Sequence, residues 1–166
     1  MIYIGVGANL PLNHKSPQYT LPAALKALGE NGIEVKACSA IYRSVPVSEI
    51  DQADYYNSVA GINTPLHAPQ LLQLLHHIEA EFGRDRNKEM RWGPRILDMD
   101  LLDYKGHIST KNPTLPHPRI SERAFVLLPL QEVAPQWVHP QSGASIDSLI
   151  ASLPKQSCLD CVRLQE

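Results

Sequence analysis

The stretch RWGPRILDMDLL, from Arg91 to Leu102, combines two arginines, a Gly-Pro turn and two aspartates. From residue 96 onward its side chains alternate with the two-residue period of a β-strand. Leu97, Met99 and Leu101 share one face of this predicted strand, and Asp98 and Asp100 share the other. The sequence therefore predicts a strand that carries two carboxylates on one face, directly after a tight turn.

Two interpretations of this acidic pair are open. Residues two apart on a strand have Cα atoms about 6.6 to 7 Å apart, and two carboxylates at that distance repel each other by roughly 2 kcal/mol at an effective dielectric near 20. A solvated strand face tolerates the pair, because the repulsion in open water is well under about 1 kcal/mol. Nearby Arg95 favours a site where Asp98 and Asp100 bind a hard divalent cation together with substrate phosphates.

The same stretch resembles the signature of the 6-hydroxymethyl-7,8-dihydropterin pyrophosphokinase family. The matching residues are Arg91, Trp92, Gly93, Pro94, Arg95, Leu97, Asp98, Asp100, Leu101 and Leu102. The likeness extends from Tyr3 to about Pro140, and the run Gly7 to Leu10 also follows the family pattern. It implies an enzyme of folate biosynthesis that transfers diphosphate from ATP to the hydroxymethyl pterin and releases AMP. It also implies ATP as co-substrate and Mg²⁺ as cofactor, with two ions expected.

The resemblance further implies which residues contact each substrate. The residues expected to act on the transferred group are Arg84, Arg95, His117 and Arg123. Those expected at the pterin are the stacking pair Tyr55 and Phe125, the edge-reading amide of Asn57, and the run Ser44, Val45, Pro46 and Val47. Those expected at ATP are His76, Glu79, Arg84, Arg91, Trp92, Arg95 and His117, and those at the metal are Asp98 and Asp100. This chain departs from the family at Val45, where proline is common, and at His76, which replaces a glutamine.

The pattern of apolar residues predicts the order strand, helix, strand, strand, helix, strand. The predicted elements are strands over residues 2–7, 33–43, 55–64 and 96–102, a helix from residue 20 that ends at Gly29 or Gly32, and a helix over residues 69–82. This order fits an α+β fold with a ferredoxin-like βαββαβ core and its helices on one face of the sheet. A C-terminal extension of short helices and strands should follow, including a helix over residues 121–133 interrupted at Pro129.

Length and composition limit the remaining possibilities. A chain of 166 residues with 43% hydrophobic content matches one domain, residues 1–166. A formal net charge of -2 argues against a protein whose whole surface binds nucleic acid. The first ten residues lack the basic flank and long apolar run of a signal peptide or membrane span, so we expect a cytoplasmic protein. Cys158 and Cys161 form a CxxC motif, but the sequence offers no further zinc ligands nearby, so it gives little support for a metal or redox role.

Two other functions stay open at this point. A different two-metal phosphoryl or nucleotidyl transferase would keep the acidic strand but would not need Tyr55, Asn57 and Phe125 around a flat ring. An RNA-binding ferredoxin-like module would need exposed aromatic residues on a basic sheet, and the sequence has no RRM-type aromatic motif.

Overall fold

The computed structural model describes residues 1–47, 50–90 and 92–165. Within these residues the chain forms six β-strands and five α-helices. The strands are β1 Ile2–Ala8, β2 Glu34–Cys38, β3 Tyr42–Ser44, β4 Tyr55–Asn63, β5 Asp98–Tyr104 and β6 Cys161–Arg163. The helices are α1 Thr20–Glu30, α2 Ala68–Glu81, α3 Ala124–Val133, α4 Ile146–Ser152 and α5 Lys155–Leu159. The prediction of an α+β fold is confirmed.

The strands form one antiparallel sheet in the order β5, β1, β4, β3, β6, and β2 pairs with β4 beside this path. The central strand β1 pairs with β4 on one side and with β5 on the other. In this register Gly7 lies opposite both Asn57 and Asp98. The sheet therefore places a predicted pterin residue and a predicted metal ligand on either side of one glycine.

Both faces of the sheet are covered, which follows from the alternation along its strands. Leu97, Met99 and Leu101 belong to the core that also contains the buried residues of α1 and α2. Leu102 belongs to a second core beneath α3 and α4. The predicted separation of Asp98 and Asp100 from the apolar face of their strand agrees with this packing, because these side chains lie on the α3 side and line a cavity there.

Two predicted elements differ from the structure. The single strand expected over residues 33–43 is two strands, β2 and β3. The backbone N–H of Val59 donates to the Ser39 hydroxyl at 3.0 Å, and this side-chain bond interrupts the backbone pairing with β4 between the two strands. The helix expected from residue 121 begins at Ala124, since Arg123 is extended (φ -118°, ψ 109°). Pro129 lies inside this helix without interrupting it, and its ring is buried in the second core. Burial of an almost wholly apolar helix offsets the hydrogen bond that proline removes.

None of the helices in the described ranges has the length and apolar character that a membrane span requires.

Candidate active site

A cavity of about 360 Å³ opens on the α3 side of the sheet, where β1 ends and where β4 and β5 begin, near three loops. It is lined by most of the residues that the sequence predicted for substrates and metal. From the predicted pterin set these are Ser44, Val45, Pro46, Val47, Tyr55, Asn57 and Phe125. From the predicted phosphate and metal sets they are Arg84, Trp92, Arg95, Asp98, Asp100, His117 and Arg123. The prediction for Arg91 falls outside the described residues.

The two aspartates of β5 form ion pairs with two different arginines. Asp98 forms an ion pair with Arg84, and Asp100 lies 3.4 Å from Nη1 of Arg123 through its Oδ2 atom. The two aspartate side chains are 38% and 35% exposed, so each still presents oxygen to the cavity. Burial raises the pKa of Asp100, and the negative charge of Asp98 acts in the same direction. A cation bound between these carboxylates would relieve both effects.

Among the described residues no three His, Cys, Asp or Glu side chains are grouped so that they could hold a metal ion. The protein thus offers Asp98 and Asp100 as a two-carboxylate donor set. This set fits Mg²⁺, which commonly binds through one or two carboxylates and takes its remaining ligands from water and substrate phosphates. It does not fit zinc, whose sites use three or four protein ligands.

Arg84 is the centre of a buried ion cluster at the edge of the cavity. Its side chain is 5% exposed and lies 2.7 Å from Glu79 and 2.9 Å from Glu89. Burial lowers the pKa of Arg84, but the charges of Asp98, Glu89 and Glu79 more than reverse this and keep the guanidinium charged. These ion pairs hold Arg84 beside Asp98 at the start of β5.

Glu79 is wholly buried, and its two oxygens are used by the protein. Its Oε1 accepts the Arg84 bond and the backbone N–H of Met99 at 2.7 Å, and its Oε2 accepts from Arg86. His76 and Glu79 line a second cavity of about 270 Å³, which shares Arg84 with the first. The structure thus places both predicted nucleotide residues beside the first cavity, with Glu79 serving as an anchor for two arginines and the strand β5.

His117 presents a neutral donor to the cavity. Burial and the charge of Arg123 lower the pKa of His117 to about 4, so the ring is neutral near pH 7. Its Nδ1 accepts the backbone N–H of Arg119 at 3.1 Å, which leaves the proton on Nε2. That Nε2 atom lies 3.9 Å from Oδ2 of Asp100 and faces the cavity.

The predicted pterin residues are fixed by hydrogen bonds. The amide Nδ2 of Asn57 donates to the hydroxyl of Ser44 at 2.8 Å, and both side chains are buried. A Cβ added to Gly7 would lie 2.9 Å from Oδ1 of Asn57, so a larger residue at position 7 would displace this amide. The hydroxyl of Tyr55 donates to the carbonyl of Gly93 at 2.9 Å, and burial raises its pKa to about 12. These contacts orient one amide and one aromatic ring toward the cavity.

Two positioning residues were missed by sequence reasoning. Asn9 is buried; its Oδ1 accepts the backbone N–H of Arg95 at 2.7 Å, and its amide donates to Gln52 and Ala53. The run Gly7 to Leu10 was the available signal for it. The guanidinium of Arg119 lies 4.3 Å from the ring centre of Trp92, which joins two loops at the cavity, and no local pattern pointed to this contact.

Comparison with known proteins places this architecture in a family. Residues 3–135 match the family model described as 7,8-dihydro-6-hydroxymethylpterin-pyrophosphokinase (HPPK). The chain belongs to the HPPK family. The resemblance noted in the sequence is thereby confirmed, and it covers most of the described residues.

Individual HPPK relatives differ in how much of their length is matched. A Methylorubrum extorquens protein named 2-amino-4-hydroxy-6-hydroxymethyldihydropteridine pyrophosphokinase is 42% identical over 91% of this chain and 92% of its own length. A Synechocystis protein of the same name is 46% identical over 72% of this chain, but the match covers 60% of that protein. In the Pneumocystis carinii folic acid synthesis protein, 38% identical, the match covers 89% of this chain and 19% of the relative. This chain thus spans less than two thirds of some of the relatives that it matches.

Solved structures share the HPPK fold at low sequence identity. A crystal structure of Plasmodium falciparum HPPK-DHPS with pterin and p-hydroxybenzoate superposes with a TM-score of 0.66 at 14% identity. The superposition covers 90% of this chain and 42% of that one. At this identity the likeness supports the fold alone.

Proposed function

We propose that this chain is an ATP-dependent pyrophosphokinase that transfers diphosphate to the hydroxymethyl group of 6-hydroxymethyl-7,8-dihydropterin. The products would be the pterin diphosphate and AMP, as a step in folate biosynthesis. The observation that carries this proposal is that one cavity joins Asp98 and Asp100, four arginines and the predicted pterin residues. The names of the full-length relatives support the same reaction.

The pterin would bind at the end of the cavity formed by β3, β4 and the start of α3. We assign Tyr55 and Phe125 to the faces of the ring and Asn57 to its polar edge, where an unpaired amide edge would cost about 1 to 3 kcal/mol. The backbone of Ser44, Val45, Pro46 and Val47 would complete this wall. The hydrogen bond from Asn57 to Ser44 supports the assignment, because it fixes the amide before the ligand arrives.

ATP would lie along the loop that precedes β5. We assign Arg84, Arg95 and Trp92 to its phosphates, and His76 to the adenosine part near the second cavity. The expected ATP contact of Arg91 lies outside the described residues. Glu79 would act on ATP through Arg84, since its own oxygens already accept hydrogen bonds from Arg84, Arg86 and Met99. This differs from the direct contact that the resemblance implied.

Asp98 and Asp100 would hold Mg²⁺, and we expect two ions. When bound, Mg²⁺ supplies neutralisation of the phosphate charge that develops during transfer. The charged side chains around the cavity are the protein's own contribution to the neutralisation of phosphate charge. Arg84 pairs with Asp98, and Arg123 lies 3.4 Å from Asp100, where it would act on the bound phosphates.

The remaining catalysis would come from positioning and charge stabilisation. His117 would donate its Nε2 proton to a phosphate oxygen as a hydrogen bond while its Nδ1 stays bound to Arg119. Arg123 would stabilise the charge that grows on the transferred group. The aromatic walls would hold the hydroxymethyl oxygen in line with the phosphorus, which is where most of the rate of such reactions originates.

The strand order also supports a finer description of the fold. The βαββαβ core of β1, α1, β2, β4, α2 and β5 has the spatial order β5, β1, β4, β2, with both helices on one face. We propose that this core is ferredoxin-like and that residues 1–166 act as one domain on two small-molecule substrates, ATP and the pterin. The added strands β3 and β6 extend the sheet beside the pterin subsite.

The direct test is the identity of the nucleotide product. Incubation with ATP, Mg²⁺ and 6-hydroxymethyl-7,8-dihydropterin should yield AMP and pterin diphosphate in equal amounts, measured by chromatography. Omission of the pterin is the control and should leave ATP intact. Pterin-dependent formation of ADP would contradict the proposal, because it would show transfer of one phosphate only.

A thermal-shift titration separates this function from the alternatives. We expect Mg²⁺ with a nonhydrolysable ATP analogue to raise the melting temperature, and the pterin to raise it further. Stabilisation by nucleotide and metal without any response to the pterin would favour a different phosphoryl or nucleotidyl transferase. Stabilisation by RNA alone would favour the binding module.

The variant Arg123→Ala should lower turnover more than it weakens ATP binding. Its guanidinium is 15% exposed and lies beside Asp100, so its charge acts mainly as negative charge develops on the transferred group. We expect kcat to fall at least about tenfold while the Kd of ATP changes less than about threefold. The control is Arg43→Ala, which removes an exposed arginine outside the cavity. Loss of ATP affinity with normal turnover at saturation would show that the assigned role is wrong.

A further inference from the structure

The C-terminal strand β6 lies beyond residue 135, where the family match ends, and it forms an edge of the sheet beside the pterin wall. Its Cys161 is buried and lies opposite Ser44 of β3. The carbonyl of Asp160, just before β6, accepts the N–H of Val45 at 3.3 Å. We call residues 160–165 the tail. The tail therefore supports the backbone of Ser44 and Val45, the first two residues of the predicted pterin wall.

The pairing continues along the whole of β3. At its other end the N–H of Leu164 donates to the carbonyl of Ile41 at 2.8 Å. Hydrogen-bonded and non-bonded pairs alternate along antiparallel strands. In the observed register the pair Arg43 and Val162 lies midway between these two contacts, so it is a hydrogen-bonded pair. The tail thus holds β3 by a continuous ladder, and each of its bonds is a backbone bond.

Glu132 of α3 ties the tail to the opposite wall of the same subsite. Its carboxylate accepts from the guanidinium of Arg163 at 3.1 Å, from the hydroxyl of Tyr42 at 3.0 Å and from the N–H of Ala40 at 3.2 Å. The same helix carries Phe125, which lines the cavity from the other side. One carboxylate therefore connects the tail, the strand of one wall and the helix of the other.

The effect of the tail reaches the ligand through one buried hydrogen bond. Ser44 is the last residue of β3, and its hydroxyl accepts from the amide of Asn57 at 2.8 Å. A displacement of β3 would move that hydroxyl and turn the amide. The predicted metal ligands are on β5, at the opposite edge of the sheet, with β1 and β4 between them and β3. The mechanical consequences of losing β6 should therefore be confined to the pterin half of the cavity.

We propose that β6 is a positioning strand for the pterin subsite: the tail sets the Ser44 and Val45 backbone, and through it the Asn57 amide, for binding of the pterin and not of ATP. This inference rests on the proposed function, because it assigns a supporting element to that same site. The responsible interaction is the backbone ladder between β6 and β3. The ion pair of Arg163 with Glu132 adds little, since the arginine side chain is 53% exposed.

The test compares Val162→Pro with Val162→Ala in the full chain. The Val162 side chain is 45% exposed, so both variants lose a surface side chain, but only proline removes the N–H that bonds to β3. We expect Val162→Pro to raise the KM of the pterin about fivefold, equivalent to about 1 kcal/mol by RT ln 5. Val162→Ala should stay within about twofold of the wild type. The KM of ATP should stay within about twofold in both.

Three results would overturn the inference. They are a pterin KM in Val162→Pro that equals that of Val162→Ala, a KM of ATP that rises in parallel, and a loss of kcat at unchanged KM. The last result would show that the change does not act on pterin binding. If Val162→Pro does not fold, Leu164→Pro compared with Leu164→Ala provides the test, since only proline removes the N–H that donates to Ile41 at 2.8 Å. The pterin KM of Leu164→Pro should be about threefold that of Leu164→Ala at constant KM of ATP, or the inference fails.

The activity of the wild-type protein distinguishes failure of this inference from failure of the proposed pyrophosphokinase function. A wild-type protein that forms no pterin diphosphate contradicts the proposed function and removes the basis of the inference with it. A wild-type protein that turns over, with variants that show no selective change in the KM of the pterin, contradicts the inference alone.

Discussion

Replacement of Asp98 or Asp100 by Asn is expected to lower turnover at least about a hundredfold, which corresponds to roughly 2.7 kcal/mol or more in the barrier. Each change removes one formal charge from the proposed metal site and keeps the size of the side chain. Because Asp98 and Asp100 would hold Mg²⁺, which would neutralise phosphate charge, loss of either should weaken metal binding and the neutralisation of the transferred group. Turnover across a magnesium titration measures the effect.

The two variants should differ in the absence of metal. The repulsion of about 2 kcal/mol inferred from sequence acts equally on both aspartates. The structure gives Asp98 a partner in the buried Arg84, so Asp98→Asn should lower the melting temperature of the metal-free protein. Asp100 has a raised pKa because burial and Asp98 oppose its charge, so Asp100→Asn should leave that temperature unchanged or raise it.

Asp147→Asn is the matched control, since it makes the same chemical change at an exposed residue of α4. It should preserve turnover and the magnesium optimum. Near-normal turnover with an unchanged magnesium optimum in Asp98→Asn or Asp100→Asn would rule that carboxylate out as a metal ligand. Equal melting temperatures of the two metal-free variants would contradict the assigned difference between the carboxylates.

Replacement of Glu79 by Leu should lower the free energy of unfolding by about 3 to 5 kcal/mol, the usual cost of removing one partner from a buried ion pair. The side chains of Glu79 and Arg84 are 1% and 5% exposed, and the change also leaves the N–H of Met99 without its acceptor. For a chain of this length we expect a melting temperature roughly 6 to 20 °C lower. Thermal and urea denaturation measure this change.

Two further variants serve as comparisons for Glu79→Leu: a milder change at the same residue and the same change at an exposed glutamate. Glu79→Gln should cost less than Glu79→Leu, because its carbonyl oxygen still accepts one donor, and because burial raises the pKa of Glu79 and makes its charge costly. Glu30→Leu removes an exposed glutamate paired with Lys26 and should change stability by less than about 1 kcal/mol. If Glu79→Leu melts within about 2 °C of the wild type, Glu79 does not stabilise the cluster around Arg84.

The alternation between residues 96 and 102 predicted a strand whose aspartates share one face, and the structure has β5 with that arrangement. Helix positions were also predictable: Leu71, Leu75 and Ile78 of α2 are all buried. These features depend on the chemistry of neighbouring residues and on the period of a strand or helix, which a sequence displays directly. The family could be recognised for the same reason, since its signature is a short continuous run.

Sequence reasoning was less accurate where a distant residue supplies the decisive partner. The hydroxyl of Ser39 divides the predicted second strand through its bond to Val59, twenty positions away in the chain. Glu79 has the sequence pattern of an ordinary helix residue, and only its contacts with Arg84, Arg86 and Met99 show that its oxygens are occupied. Local periodicity contains no information about such contacts.

By itself, then, the sequence determined the α+β class, the face on which Asp98 and Asp100 lie, and the family. Only the tertiary structure decided the partners of the charged residues and of the last strand. Asp98 pairs with Arg84, and Asp100 pairs with Arg123. Arg119 stacks on Trp92, and β6 adds an edge strand to the sheet beside Ser44. The first group follows from short-range order along the chain, where side-chain direction repeats with the backbone period. The second follows from packing between segments far apart in sequence, where the partner of a charge or a strand edge is set by the fold as a whole.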